Sequence, residues 1–186
     1  MSTSHSQSVL SIDIGKGNYA ICAMVLPDIQ IRRLESWRLG DTKAMPASAL
    51  IDRLLKNMEE WDLWSTGWAP DVVLIEQQMR GAHINIALAF ATYTCMKLRF
   101  PHAIVKFVRP GSKFTAFVKF IALSDESVQK KLHDKSALLS YAKRKHLAVE
   151  VAESILRQQE QPNLQSHCPG AKKDDLADAF LQSFCV

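Results

Sequence analysis

No two cysteines of this 186-residue chain are spaced as C-x-x-C: Cys22, Cys95, Cys168 and Cys185 stand far apart. With no secretory leader ahead of them, reduced and intracellular thiols are expected. No apolar run approaches the length of a membrane span, so a soluble protein without a membrane partner is expected. Internal repeats and low-complexity tracts are absent, and glycine is sparse late in the chain. After Gly81 only Gly111 and Gly170 remain, too few for a second glycine-rich phosphate loop. The opening MSTSHSQ is Ser-rich yet lacks arginine and gives way to a strand within eight residues, so import into an organelle is not expected.

What is present is an ordinary globular composition, 47% hydrophobic and 23% charged, with chain enough for one core. A single domain over 1–186 is expected, with 1–7 as a disordered tail and 158–170 as a polar loop. The net charge is +4, unevenly spread. Residues 106–146 hold ten Lys or Arg against three acids, a local +7, which leaves −3 elsewhere. A basic region beside an acidic body suits a polyanion, although a solvated helix face gives the same count.

SVLSIDIG and YAICAMVL read as strands joined by a tight turn at Gly15 to Asn18, and IQIRRLESWRL as a third strand with its alternation broken at Arg32 and Arg33. Pro46 opens an amphipathic helix over 47–64, with Leu50, Leu54, Met58 and Trp61 on one stripe. VVLIE, four aliphatic residues and then Glu76, reads as a strand covered on both faces. INIALAFATYTCMKLRF is a helix apolar almost all round, fit for a central core position or a subunit interface. AIVKFV is a fifth strand, and helices follow over 135–156 and 171–186, the last with Ala177, Phe180, Leu181 and Phe184 as its apolar face. Connection rules place the fourth and fifth strands parallel beside the first. The expected fold is α/β: a mixed five-stranded sheet, three antiparallel strands then two parallel, flanked by helices.

Carboxylates punctuate these elements where they are costly. Asp13 interrupts an aliphatic strand, Glu76 ends one, and Asp175 and Asp178 share one helix face at i and i+3, with Asp174 beside them. If the last helix crosses the first and fourth strands, the acids meet. Such a cluster suits hard divalent cations, Mg²⁺ or Mn²⁺, and two ions about 4 Å apart can drive phosphodiester cleavage. Singly, each acid has a plainer reading: a pair with lysine for Asp13, a solvated strand end for Glu76, a helix N-terminus for Asp174 and Asp175.

SIDIGKGN, VLIEQQ and KKDDLADAFL, in this order and on these elements, resemble the Holliday-junction resolvases of the poxvirus and fungal mitochondrial type. These are relatives of bacterial RuvC in the ribonuclease-H-like superfamily. The resemblance runs from about Leu10 to the C-terminus, and KKDDLADAF is its most specific part. It implies a ribonuclease-H-like fold and a metal-dependent endodeoxyribonuclease that cuts four-way DNA junctions at two symmetry-related strands. It further implies two Mg²⁺ ions per site, with Mn²⁺ as substitute, held by Asp13, Glu76, Asp175 and Asp178, with Asp174 as an outer candidate and no small-molecule cofactor. Two related cuts imply a C₂ homodimer, and the helix from Ile84 to Phe100 is its candidate interface. A basic group near the scissile phosphate is also implied; Lys113 and Lys135 both fit by position. Arg80, Arg109, Lys130, Lys131, Lys143, Arg144 and Lys145 are candidates for the DNA backbone. The nucleus, or a viral replication compartment in the cytoplasm, is favoured over the mitochondrion.

Trp61, Trp64 and Trp68 have helical spacing that favours core packing over base stacking. Phe114, Phe117 and Phe120 fit either a core or a junction-opening wedge. DIGKGN also resembles the first phosphate loop of actin-like and sugar-kinase ATPases, but a second such loop and a second lobe are missing. A ribonuclease H acting on RNA–DNA hybrids, or a junction-binding relative without catalysis, would share the fold. Four retained acids speak against the latter, since without metal they repel phosphate.

Overall fold

In a computed structural model that describes residues 6–15, 17–40, 45–112 and 141–186 (Tyr141 by its backbone alone), the first three strands form a meander. β1 (Gln7–Ile14) and β2 (Asn18–Leu26) pair antiparallel from Gln7 opposite Leu26 to Ile14 opposite Tyr19. Gln7, expected to belong to a disordered tail, is instead the first residue of the ladder. Gly15 is required by the turn: a Cβ there would stand 2.8 Å from the Asn18 carbonyl oxygen, and the Gly15 N–H donates to that same oxygen at 2.9 Å. β3 (Gln30–Arg38) pairs with β2 across a register shift. Arg33 faces Ala23 and Ile31 faces Met24, which leaves Arg32 as the extra residue of a bulge. That bulge is why the alternation breaks at Arg32 and Arg33.

β4 (Val72–Glu76) lies parallel to β1, Val9 beside Val72 and Ile12 beside Ile75, and β5 (Ile104–Val108) lies parallel to β4, ending with Val108 beside Glu76. The sheet order is β3-β2-β1-β4-β5, the mixed arrangement expected from the connections. Because helices cover both faces, β1, β2 and β4 supply two cores by alternate residues. Val9, Cys22, Met24, Val72 and Leu74 face α3 (Tyr141–Gln158) and α5 (Lys173–Gln182). Leu10, Ile12, Ile21, Val73 and Ile75 face α1 (Ala47–Glu59) and α2 (His83–Arg99). Among the described residues no helix is long and apolar enough to cross a membrane.

Two boundaries differ from expectation. α1 ends at Glu59 rather than running to Trp64; after an extended Trp61 the chain makes a 3₁₀ turn, Asp62–Thr66, closed by Gly67 at φ 77°. Its three-residue pitch keeps Leu63 and the tryptophans on the inner side, so the apolar spacing reads as one longer helix. The segment 158–170 is not wholly loop: α4 (Leu164–His167) forms there, with the Asn163 side chain accepting from the Ser166 N–H at 3.0 Å. Leu164, fully buried, anchors it to the core.

The tryptophans pack as expected. Trp61 is 6% exposed and meets Trp37 and Trp64 edge-on at 5.5 and 4.6 Å. Tyr19 stacks on Trp37, Trp68 on Trp64, and the Arg99 guanidinium lies 4.9 Å from the Trp64 ring centre. Phe114, Phe117 and Phe120 lie outside the described residues.

Candidate active site

Side chains alternate along a strand, so Asp13 shares the face of Val9 and Ser11, and Glu76 that of Val72 and Leu74. Both faces are the α5 side. Since Ile12 is beside Ile75 in the parallel ladder, Asp13, one residue before the end of β1, and Glu76, the last of β4, lie side by side on the same face. They stand at the carboxyl edge of the sheet, where open α/β folds bind ligands.

Polar contacts hold α5 across this seam. The Ser11 hydroxyl donates to the Ala179 carbonyl. Ser183 donates to the Ser11 oxygen at 2.8 Å. The Gln182 amide donates to the carbonyls of Ile12 at 3.1 Å and Leu74 at 3.0 Å, clasping β1 and β4 together. All three side chains are buried. With Ala179 over Ser11, the preceding turn carries Asp175 and Asp178 toward the carboxyl edge. Asp175 is then reached by Asn18 from the β1–β2 turn, whose Nδ2 donates to Oδ2 at 2.9 Å. Glu76 accepts from Gln78 Nε2 at 3.3 Å, and Asn85 at the start of α2 donates to Gln78 Oε1 and to the Ile14 carbonyl. Ser11, Asn18, Gln78, Asn85, Gln182 and Ser183 were not singled out from sequence. Asn18 alone carried a signal, as the last residue of the glycine turn.

The basic candidates divide. Lys145 on α3 is turned inward, 27% exposed, paired with Asp174 and 3.8 Å from Asp175 Oδ1. Lys143 and Arg144 are exposed. Burial would raise the Asp174 pKa, but the hydrogen bond and charge of Lys145 outweigh it and hold the carboxyl below its ordinary value. Arg80 is exposed just past Glu76. Arg109 is exposed directly after Val108, the neighbour of Glu76. Lys113, Lys130, Lys131 and Lys135 lie outside the described residues.

Four carboxylates with only oxygen donors fit a hard divalent cation by chemistry. Topology brings them to one edge on one face, but it does not assemble a cage: among the described residues no three such groups stand close enough to grip an ion together. Like charges repel at short range, and one of the four, Asp175, is instead engaged by both Asn18 and Lys145.

No protein-family model matches this chain, and no curated protein matches it by sequence. Solved structures do. RuvC of Thermus thermophilus in complex with a Holliday junction substrate superposes with a TM-score of 0.56 at 13% identity, over 96% of this chain and 91% of that one. A second Thermus thermophilus RuvC structure gives 0.53 at 14% identity, over 95% and 93%. The fold is therefore RuvC-like, within the ribonuclease-H-like architecture.

Proposed function

We propose that this protein is a metal-dependent endodeoxyribonuclease that resolves four-way DNA junctions by paired, symmetric cuts. We take its type to be that of the poxvirus and fungal mitochondrial resolvases, on the strength of KKDDLADAFL. The observation that carries the reading is the β1–β4 register together with the Gln182 and Ser11 clasp, which sets Asp13, Glu76, Asp175 and Asp178 at one edge of a RuvC-like sheet.

Asp13 and Glu76 hold divalent cations from the sheet, and Asp175 and Asp178 from α5. Two Mg²⁺ ions, or Mn²⁺ in their place, would supply an activated water and stabilise the leaving oxygen. Asn18 and Gln78 orient the carboxylates by hydrogen bonds to Asp175 and Glu76. Arg80 and Arg109 flank the edge and, with Lys143 and Arg144, meet backbone phosphates irrespective of base sequence. Lys113 and Lys135 remain the candidates for charge stabilisation at the scissile phosphate.

Paired cuts call for two sites related by a two-fold axis. α2 buries Leu88, Ala89, Thr92 and Met96 but leaves Phe90 59% and Leu98 79% exposed, with Phe107 of β5, 5.7 Å from the Phe90 ring, at 37%. That outer apolar face is where a second copy docks.

The test is cleavage of labelled four-way junction, duplex and RNA–DNA hybrid in Mg²⁺ by the wild type and by Asp13→Asn. Symmetric nicks in the junction alone, lost in the variant while junction binding persists, are expected. Cutting of the hybrid alone would move the activity to ribonuclease H, and binding without any cutting would overturn the catalytic reading.

A further inference from the structure

Among the described residues, Lys145 differs from the other basic residues near the site. Its neighbours Lys143 and Arg144 face solvent. Lys145 is partly buried and lies between two carboxylates at the N-terminal end of α5. The contact with Asp174 is the close one, and Asp175 Oδ1 is 3.8 Å away. The other oxygen of Asp175 already accepts from Asn18. Both acids are themselves mostly buried, at 27% and 17% exposure, so solvent screens this cation less than it would a surface lysine.

We propose that Lys145 is a tethered counter-cation of the carboxylate site, whose ammonium competes with a divalent cation for Asp175 while stabilising the metal-free fold. The inference rests on the reading of Asp175 as a metal ligand. Its physical basis is simple: a positive charge fixed a few ångströms from a ligand carboxylate repels an incoming divalent ion and shares the oxygen that ion needs. Lys145 thus sets the affinity of the site. When a metal ion takes Asp175, the ammonium stays with Asp174, gives up its contact with Asp175 and becomes more accessible. A purely structural ion pair would stabilise the fold without opposing the metal.

Mn²⁺ binding to the full chain, followed by paramagnetic resonance, tests this with Lys145→Gln and the charge-keeping Lys145→Arg. Lys145→Gln should lower the melting temperature of the metal-free protein yet bind Mn²⁺ about 3- to 10-fold more tightly, while Lys145→Arg binds like the wild type. Unchanged or weaker binding by folded Lys145→Gln would overturn the proposal. Should Lys145→Gln not fold, the wild type itself decides. Acetylation of Lys145 by a water-soluble ester, read by mass spectrometry, should quicken several-fold at saturating Mn²⁺, and an unchanged rate would overturn the proposal. Failure of the underlying reading looks different: the wild type would bind no Mn²⁺, or Asp178→Asn would bind it as well as the wild type. Either result removes the inference together with its basis.

Discussion

The two helical layers grip the same sheet by different means. On one face, α1, α2 and the 3₁₀ turn are held by rings: Tyr19, Trp37, Trp61 and Trp64 pack edge-on or stacked and Phe100 tilts against Trp64, with Glu35 accepting from the indole N–H groups of Trp37 and Trp61. On the other, α5 adds to its apolar face a line of buried polar contacts, Ser11, Gln182 and Ser183 to strand and helix carbonyls. Apolar packing tolerates small slides because it is non-directional. Hydrogen bonds fix a helix to within a fraction of an ångström, since their geometry is narrow. The aromatic face has a buried hydrogen bond of its own, between the Tyr19 and Thr92 hydroxyls at 2.8 Å; the denser line of directional contacts lies on the face that carries the four acids.

Four perturbations test that contrast, taken from the largest effect to the smallest. Asp178→Asn or Asp13→Asn should lower junction cleavage at least about 100-fold with little change in melting temperature, measured by single-turnover assay and circular dichroism. Trp61→Ala on the aromatic face should cost about 3–5 kcal/mol of stability, read by urea denaturation, yet leave Mn²⁺ affinity near wild type in the cold, where the protein remains folded. Gln182→Met should cost about 1–3 kcal/mol and, unlike Trp61→Ala, weaken Mn²⁺ binding too; stability loss without that change would erase the distinction between the layers.

The smallest effect concerns His167 on α4. Burial lowers its pKa below the ordinary value, opposed by a hydrogen bond to the Pro162 backbone and by Glu153. The unfolded chain therefore takes up the proton first, and stability falls as pH drops through about 6.5. His167→Gln should flatten the stability curve between about pH 7 and pH 5; an unchanged slope would place the titrating group elsewhere.

The sheet and its acids were legible because their signals are local. A run of aliphatic residues ending in Glu76 marks a covered strand wherever it lies, and the spacing of Asp175 and Asp178 fixes a shared helix face. The clasp was not legible, since Ser11 meets Ala179 across 168 residues and nothing in a lone serine or glutamine says that it is buried. α1 was read too long because a 3₁₀ turn continues an apolar spacing that a helix would also give. α4 was missed because a single apolar residue, Leu164, carries it amid polar sequence. Lys145 was not readable: helical phase would turn Arg144 inward as readily, and the partners that single out Lys145, Asp174 and Asp175, lie 29 and 30 residues away in the chain.

The account stands on four carboxylates from β1, β4 and α5 acting as one cation site. Mn²⁺ affinity of the wild type, of Asp13→Asn, Glu76→Gln, Asp175→Asn and Asp178→Asn, and of a distant control, Glu59→Gln, tests it most directly. Each of the four should weaken binding at least about tenfold while the control binds as the wild type does; four variants that all bind like the wild type would contradict it.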